Sequence, residues 1–149
     1  MANTAEIIRI GQLEVRFLLD GGDTDSQLAM FEFMVPAGAR VPLPHSHSHY
    51  DETVYGLQGT ITFTVGGKIV PIHPGETCYI PRGVVHGFTN QSSGPCKALA
   101  VVTPAEIGPE FFRDCAGVIN TGRPPDLEKM RSIFKQYGIV PLPPTTPAL

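Results

Sequence analysis

Four of the five histidines of this chain fall into two separated clusters between Gly38 and Asn90, and a fold has to bring those clusters together. The first reads Pro44-His45-Ser46-His47-Ser48-His49-Tyr50-Asp51-Glu52. The second follows a Pro81-Arg82-Gly83 turn and centres on His86. In extended chain, residues two apart point to one face, so His45 and His47 can aim their imidazoles at a common point. Glu52, just beyond a bend, can add a carboxylate oxygen, and His86 can close the group from another strand. Three neutral imidazoles and a carboxylate suit a divalent transition metal: Fe, Mn, Co, Ni, Cu or Zn. A solvated histidine-rich loop would account for the first cluster but not for His86 after its Pro-x-Gly turn.

The length of 149 residues suits one domain, 1–149, with room for a sizeable core. Sixteen glycines and fifteen prolines fit many short strands joined by turns. The net charge of −3, with no cluster of Lys or Arg, argues against a nucleic-acid surface. Residues 1–12 contain no apolar signal core, and no stretch approaches membrane-spanning length. Cys78, Cys96 and Cys115 are odd in number and lack CxxC spacing, so the expected location is a reducing cytoplasm.

Along the chain, 7–10 and 13–19 read as strands, followed by a turn over 20–26 that is small, polar and glycine-rich. The next strand, 28–35, is apolar on both faces, Ala29, Phe31, Phe33 and Val35 on one and Leu28, Met30 and Met34 on the other. Glu32 then faces either solvent or a cavity. Strands over 53–57, 60–65 and 68–72 follow, the last two joined by a Gly66-Gly67 hairpin signal. His73 beside Pro74 reads as an exposed turn residue, and 98–103 as a late apolar strand. Pro109 to Asp114 predicts a short helix with Gly117 near its end. A second helix is predicted over 126–137, with Leu127, Met130, Phe134 and Tyr137 as the packing stripe and Gly138 as its stop. The Pro-rich tail 139–149 has too little apolar surface to fold alone and is expected over the barrel, across a partner subunit, or mobile.

The two histidine stretches resemble the paired motifs of the cupin superfamily. His45, His47, Glu52 and Gly59 fit the first, with four residues between His47 and Glu52; Gly75, Pro81, Gly83, His86 and Asn90 fit the second. Departures are small: Gly38 stands one residue far from His45, and Glu76 replaces a common Asp. The resemblance covers roughly residues 28–103, and nine residues at fixed spacing make it specific. It implies His45, His47, Glu52 and His86 as metal ligands. Pairing His47 with His49 instead leaves only two residues before Glu52 and breaks the family spacing, which makes His49 a rim residue.

The fold implied is all-β: a cupin jelly-roll barrel over about 7–103, with short C-terminal helices and the Pro-rich tail over about 105–149. Four protein ligands leave coordination positions open on a five- or six-coordinate metal, the mark of a catalytic site. The resemblance points to a dioxygenase-like oxidoreductase that chelates a small organic substrate, with Glu52 as ligand or general base. Tyr50, Tyr55, Arg40 and Arg82 are the candidates for positioning that substrate. The same ligands also support isomerases, lyases and cyclases, or a non-catalytic small-molecule-binding barrel. Small relatives are often dimers and an exposed edge strand invites pairing, so a homodimer is expected.

Overall fold

Strict alternation along 29–35 decides how the sheets stack. Ala29, Phe31, Phe33 and Val35 are all buried, while Met30, Glu32 and Met34 are half-buried on the outer face. Glu32 therefore faces away from the core, in register with Arg16 on one side and Leu99 on the other.

The computed structural model describes residues 2, 4–39 and 42–142. Its strands are β1 (Glu6–Ile10), β2 (Leu13–Leu19), β3 (Ala29–Val35), β4 (His45–His47), β5 (Asp51–Gln58), β6 (Ile61–Val65), β7 (Lys68–Ile72), β8 (Thr77–Ile80), β9 (His86–Thr89), β10 (Cys96–Thr103) and β11 (Ile139–Pro141). Two helices, α1 (Pro109–Ile119) and α2 (Leu127–Gln136), precede β11. The strands form two antiparallel sheets, β1-β2-β3-β10-β5-β8 and β11-β4-β9-β6-β7. Their inner faces meet in a core that joins Phe17, Phe31, Phe33, Val54, Ile61, Phe63, Ile72, Ile80 and Val102. This is the all-β jelly roll with C-terminal helices that the sequence implies.

The β6–β7 hairpin turns on Gly66 and Gly67, whose φ values of 56° and 83° are those of a type I′ turn. Gly56 answers a different need. A Cβ there would lie 2.3 Å from the His73 carbonyl oxygen, because β5 approaches the loop before β8 and exchanges hydrogen bonds with it through Glu76 O and Gly75 N. Buried Asn90 anchors the end of β9. Its Nδ2 donates to Val35 O and Gly94 O at 2.9 and 2.8 Å, and its Oδ1 accepts from the Ser92 backbone at 3.0 Å.

Two expectations about the C-terminal helices change, and the start of the tail takes one of the placements expected of it, against the barrel. Helix α1 runs past Asp114, through Gly117, to Ile119; Asn120 then joins it to the β1–β2 hairpin by accepting from Gly11 N and donating to Arg9 O, both at 2.7 Å. In α2, Asp126 caps the helix by accepting from Glu128 N and Lys129 N. Leu127 is 64% exposed and does not belong to the packing stripe, which consists of Met130, Ile133, Phe134 and Tyr137. The tail begins as a strand: Ile139, Val140 and Pro141 pair with His47, Ser46 and His45. The remainder of the tail, 143–149, lies outside the described residues.

Gly56→Ala is expected to cost about 3 kcal/mol or more, since the new methyl meets the fixed His73 carbonyl. Urea unfolding measures this; a loss below roughly 1 kcal/mol would show that β5 can back away from the His73 carbonyl.

Candidate metal centre

Each histidine reaches the interior for a local reason. His45 and His47 alternate with Ser46 along β4, so both project to one side of that strand. β4 is held on one flank by β9, where His45 stands opposite His86, and on the other by β11. The pairing with β11 extends at both ends: Ser48 N donates to Gly138 O and Leu142 N to Pro44 O, each at 2.9 Å. The turn before β9 is tied to the end of β4, because Gly83 N donates to His47 O at 2.7 Å. Two histidine segments distant in sequence therefore become neighbours through backbone hydrogen bonds.

The rings of His45, His47 and His86 form a near-equilateral triangle, with centroid separations of 5.0, 4.8 and 4.6 Å. Their ligand nitrogens all lie within 4.8 Å of one another, a grouping that can hold a metal ion. Glu52, reaching in from β5, sets Oε2 3.4 Å from His86 Nε2 and 3.8 Å from His47 Nδ1. Ligands bound to one ion at ordinary lengths sit about 3 Å apart, so this set is near coordination spacing. Two ring protons are placed by the backbone. His45 Nδ1 lies 2.9 Å from Leu43 O, and His86 Nδ1 lies 3.0 Å from Val84 O. A carbonyl oxygen only accepts, so each Nδ1 carries a proton. That leaves His45 Nε2 its lone pair, while His86 Nε2 faces the Glu52 carboxylate and frees its lone pair only when a metal displaces its proton.

His47 and His86 are buried, and His45 is half-buried. Burial lowers the pKa of His47 from 6.5 to about 3, outweighing the charge of Glu52. Burial also lowers His45, helped by His86. For His86 burial works downward, but the hydrogen bond and charge of Glu52 prevail and raise its pKa. Glu52 is pushed upward by burial, yet His86, through its hydrogen bond, and the charges of the three imidazoles bring it below its ordinary value. The result is neutral His45 and His47 beside an anionic Glu52 that holds a proton on His86, and a divalent cation bound here would have to displace that one proton.

The other positions singled out from the sequence are dispersed. Tyr50 is fully buried and its ring stacks on His47, with centroids 4.2 Å apart; burial and then the charge of Glu52 raise its pKa above the ordinary phenol range. Tyr55 is 40% exposed, beside inward-facing Val54, and is not brought to the cluster. Arg82 points outward and holds Asp51 in a two-pronged ion pair, Nε to Oδ1 at 3.2 Å and Nη2 to Oδ2 at 3.0 Å. Arg40 lies outside the described residues. His49 is exposed, beside Gly138, and outside the triangle. His73 sits in its turn, with Nδ1 2.9 Å from Thr60 Oγ1.

Asp51 was not singled out from the sequence. Its Oδ1 also accepts from Arg82 N at 2.9 Å, so one carboxylate next to Glu52 fixes the turn that leads to His86. The Arg82 side chain and backbone hold the Asp51 pKa down at about 2. The position directly before Glu52 is the only signal the sequence offered.

A family model described as "Cupin domain" matches residues 31–102. The oxalate-binding protein of Thermotoga maritima is 32% identical over 93 residues, which cover 62% of this chain and 76% of that protein. Quercetin 2,3-dioxygenase of Bacillus subtilis is 31% identical over 91 residues, covering 61% of this chain and only 26% of the dioxygenase. Among solved structures, the polyketide cyclase RemF of Streptomyces resistomycificus superposes with a TM-score of 0.57 at 30% identity, over 67% of this chain and 72% of the cyclase.

Acid should unfold the metal-free protein. Between pH 6.5 and about 3 the unfolded chain binds a proton at His47 that the folded chain refuses, so stability falls as pH drops through that window. The lowered pKa values of His45 and Glu52 act in the same direction. His86, raised, acts oppositely: its contribution is full below 6.5 and is lost as pH rises through its folded value. In a His47→Gln variant the acid slope of the urea midpoint is expected to flatten by close to one proton. A slope equal to wild type would remove His47 from the buried neutral set.

Proposed function

The chain belongs to the cupin superfamily, and from that premise we propose that it is a metal-dependent enzyme that acts on a small organic substrate chelated inside the barrel. The observation that carries this reading is the convergence of His45, His47 and His86, with the Glu52 carboxylate 3.4 Å from His86, on the inner side of the barrel. The ligands assigned are His45, His47, Glu52 and His86, and the ion is a divalent transition metal. When bound, it supplies Lewis acidity to a substrate oxygen and, if redox-active, a site for O₂.

The chain's own groups perform the remaining work. Leu43 O and Val84 O hold the Nδ1–H of His45 and His86, which leaves Nε2 as the nitrogen each would offer to the metal. Glu52 is anionic at neutral pH and can take a proton from an enolisable substrate when it is not itself a ligand. The apolar wall around it, with Val54, Ile80, Ala100 and Val102 all 0% exposed, excludes bulk water and strengthens that proton transfer.

Dioxygenase-type oxidation is the reaction assigned, by likeness to the matched quarter of quercetin 2,3-dioxygenase. A cyclase or isomerase reaction without O₂ is the second reading, supported by the 30% identity with a polyketide cyclase over two-thirds of the chain. Oxygen uptake separates them: the metal-loaded protein is expected to consume O₂ with flavonols or β-diketones. Turnover of such substrates at an unchanged rate under anaerobic conditions would assign the second reading. Free Cys78, Cys96 and Cys115 support a reducing cytoplasm, and no helix among the described residues is long and apolar enough to cross a membrane. A homodimer belongs to the same proposal.

His86→Ala is expected to weaken metal affinity about 100-fold or more while leaving the barrel folded. His49→Ala is expected to change it less than roughly threefold. Equilibrium dialysis measures both. Retained metal in the first variant, or lost metal in the second, would replace the assigned ligand set.

A further inference from the structure

The chain has four tyrosines, and three meet ordinary surroundings. Tyr55 and Tyr79 are exposed, and Tyr137 donates its hydroxyl to Asp114 Oδ2 at 3.1 Å. Tyr50 differs. It is 0% exposed, its ring lies flat against His47, and no donor or acceptor among the described residues bonds its hydroxyl. Among the described residues this is the single buried side-chain polar atom left without a partner. Asn90, buried to a similar degree, has both ends of its amide bonded.

Packing does not explain the hydroxyl. The other large rings inside the barrel, at positions 17, 31, 33 and 63, are all phenylalanine. A phenylalanine at position 50 would give the same stacking on His47 without burying an unsatisfied O–H, which always costs stability. A phenol keeps its proton until far above neutral pH, so this group is a donor in search of an acceptor. Glu52 turns Oε2 toward His86 and His47 and makes no hydrogen bond to Tyr50. The missing acceptor therefore belongs to something bound next to the histidine triangle.

We propose that the Tyr50 hydroxyl donates a hydrogen bond to an oxygen of the metal-chelated ligand, and so selects for ligands that carry a carboxylate, enolate or carbonyl oxygen on the His47 side of the ion. This rests on the metal-centre reading above. Tyr50 is then a specificity-determining residue: it contributes nothing to holding the ion and discriminates among what the ion holds. A buried donor of this kind rejects ligands without an acceptor, because they would leave it unpaired.

The test uses wild-type and Tyr50→Phe protein, stripped of metal and titrated with Co(II), whose visible absorption reports coordination. Oxalate and acetylacetone are then titrated into the Co(II) forms, and urea unfolding is followed on the metal-free forms. Co(II) affinity is expected to be equal within about threefold, and affinity for at least one chelator to fall roughly tenfold in Tyr50→Phe. Metal-free Tyr50→Phe is expected to unfold at higher urea than wild type, since the orphan hydroxyl is gone. Equal chelator affinity in the two proteins, or no chelator binding to wild type, would overturn the assignment. So would a lower urea midpoint in the variant, which would show the hydroxyl already satisfied in the resting protein. Failure of wild type to bind Co(II) would instead bring down the metal centre, and the Tyr50 assignment with it.

Discussion

The hydrogen bond from Gly83 N to His47 O is the joint on which the site depends. It ties the turn before β9 to the end of β4, where His86 stands opposite His45. Asp51 reinforces the joint from outside the barrel, accepting from both the backbone and the side chain of Arg82. Because Asp51 directly precedes Glu52, one exposed ion pair links β5, which carries Glu52, to the turn before β9, which carries His86. Such a pair contributes little to global stability in water. Its value is geometric, since it fixes a turn.

What these backbone contacts assemble is electrostatically costly. Three imidazoles and a carboxylate are withdrawn from water, and burial opposes charge on each of them. The protein settles this by keeping His45 and His47 neutral and pairing Glu52 with His86. Buried polar clusters carry such costs chiefly where function requires them. A divalent cation would satisfy the carboxylate and all three lone pairs at once, which makes metal binding and the stability of this region one problem.

Much of this was legible in the sequence because it is local. Alternation gave the strands around 13–19, 29–35 and 61–65, and Gly66-Gly67 marked its hairpin through the positive φ it demands. The cupin motif spacing pointed to residues that the fold does gather: His45, His47 and His86 stand within one grouping, and His49, which alternation alone could not separate from them, stands outside it. What stayed hidden depends on partners far along the chain. β11 looks like a proline-rich tail, and only pairing with β4 makes it a strand. Leu127 continues a helical stripe by period, but the packed surface takes Ile133 instead. Tyr50 and Tyr55 look alike as pocket candidates; the pleat buries one against His47 and turns the other to solvent.

The ligand set restricts the chemistry without fixing the reaction, since one fold with the same donors hosts oxidations, isomerisations and cyclisations. The account's central claim is that a metal ion sits among His45, His47, His86 and Glu52. X-ray absorption at the metal edge, on protein purified without an affinity tag, tests it most directly. One ion per chain with the multiple-scattering signature of about three imidazoles and additional oxygen donors is the result the account predicts. Protein that takes up no ion when supplied with Fe, Mn, Co, Ni, Cu or Zn, or an ion lacking imidazole scattering, would contradict it.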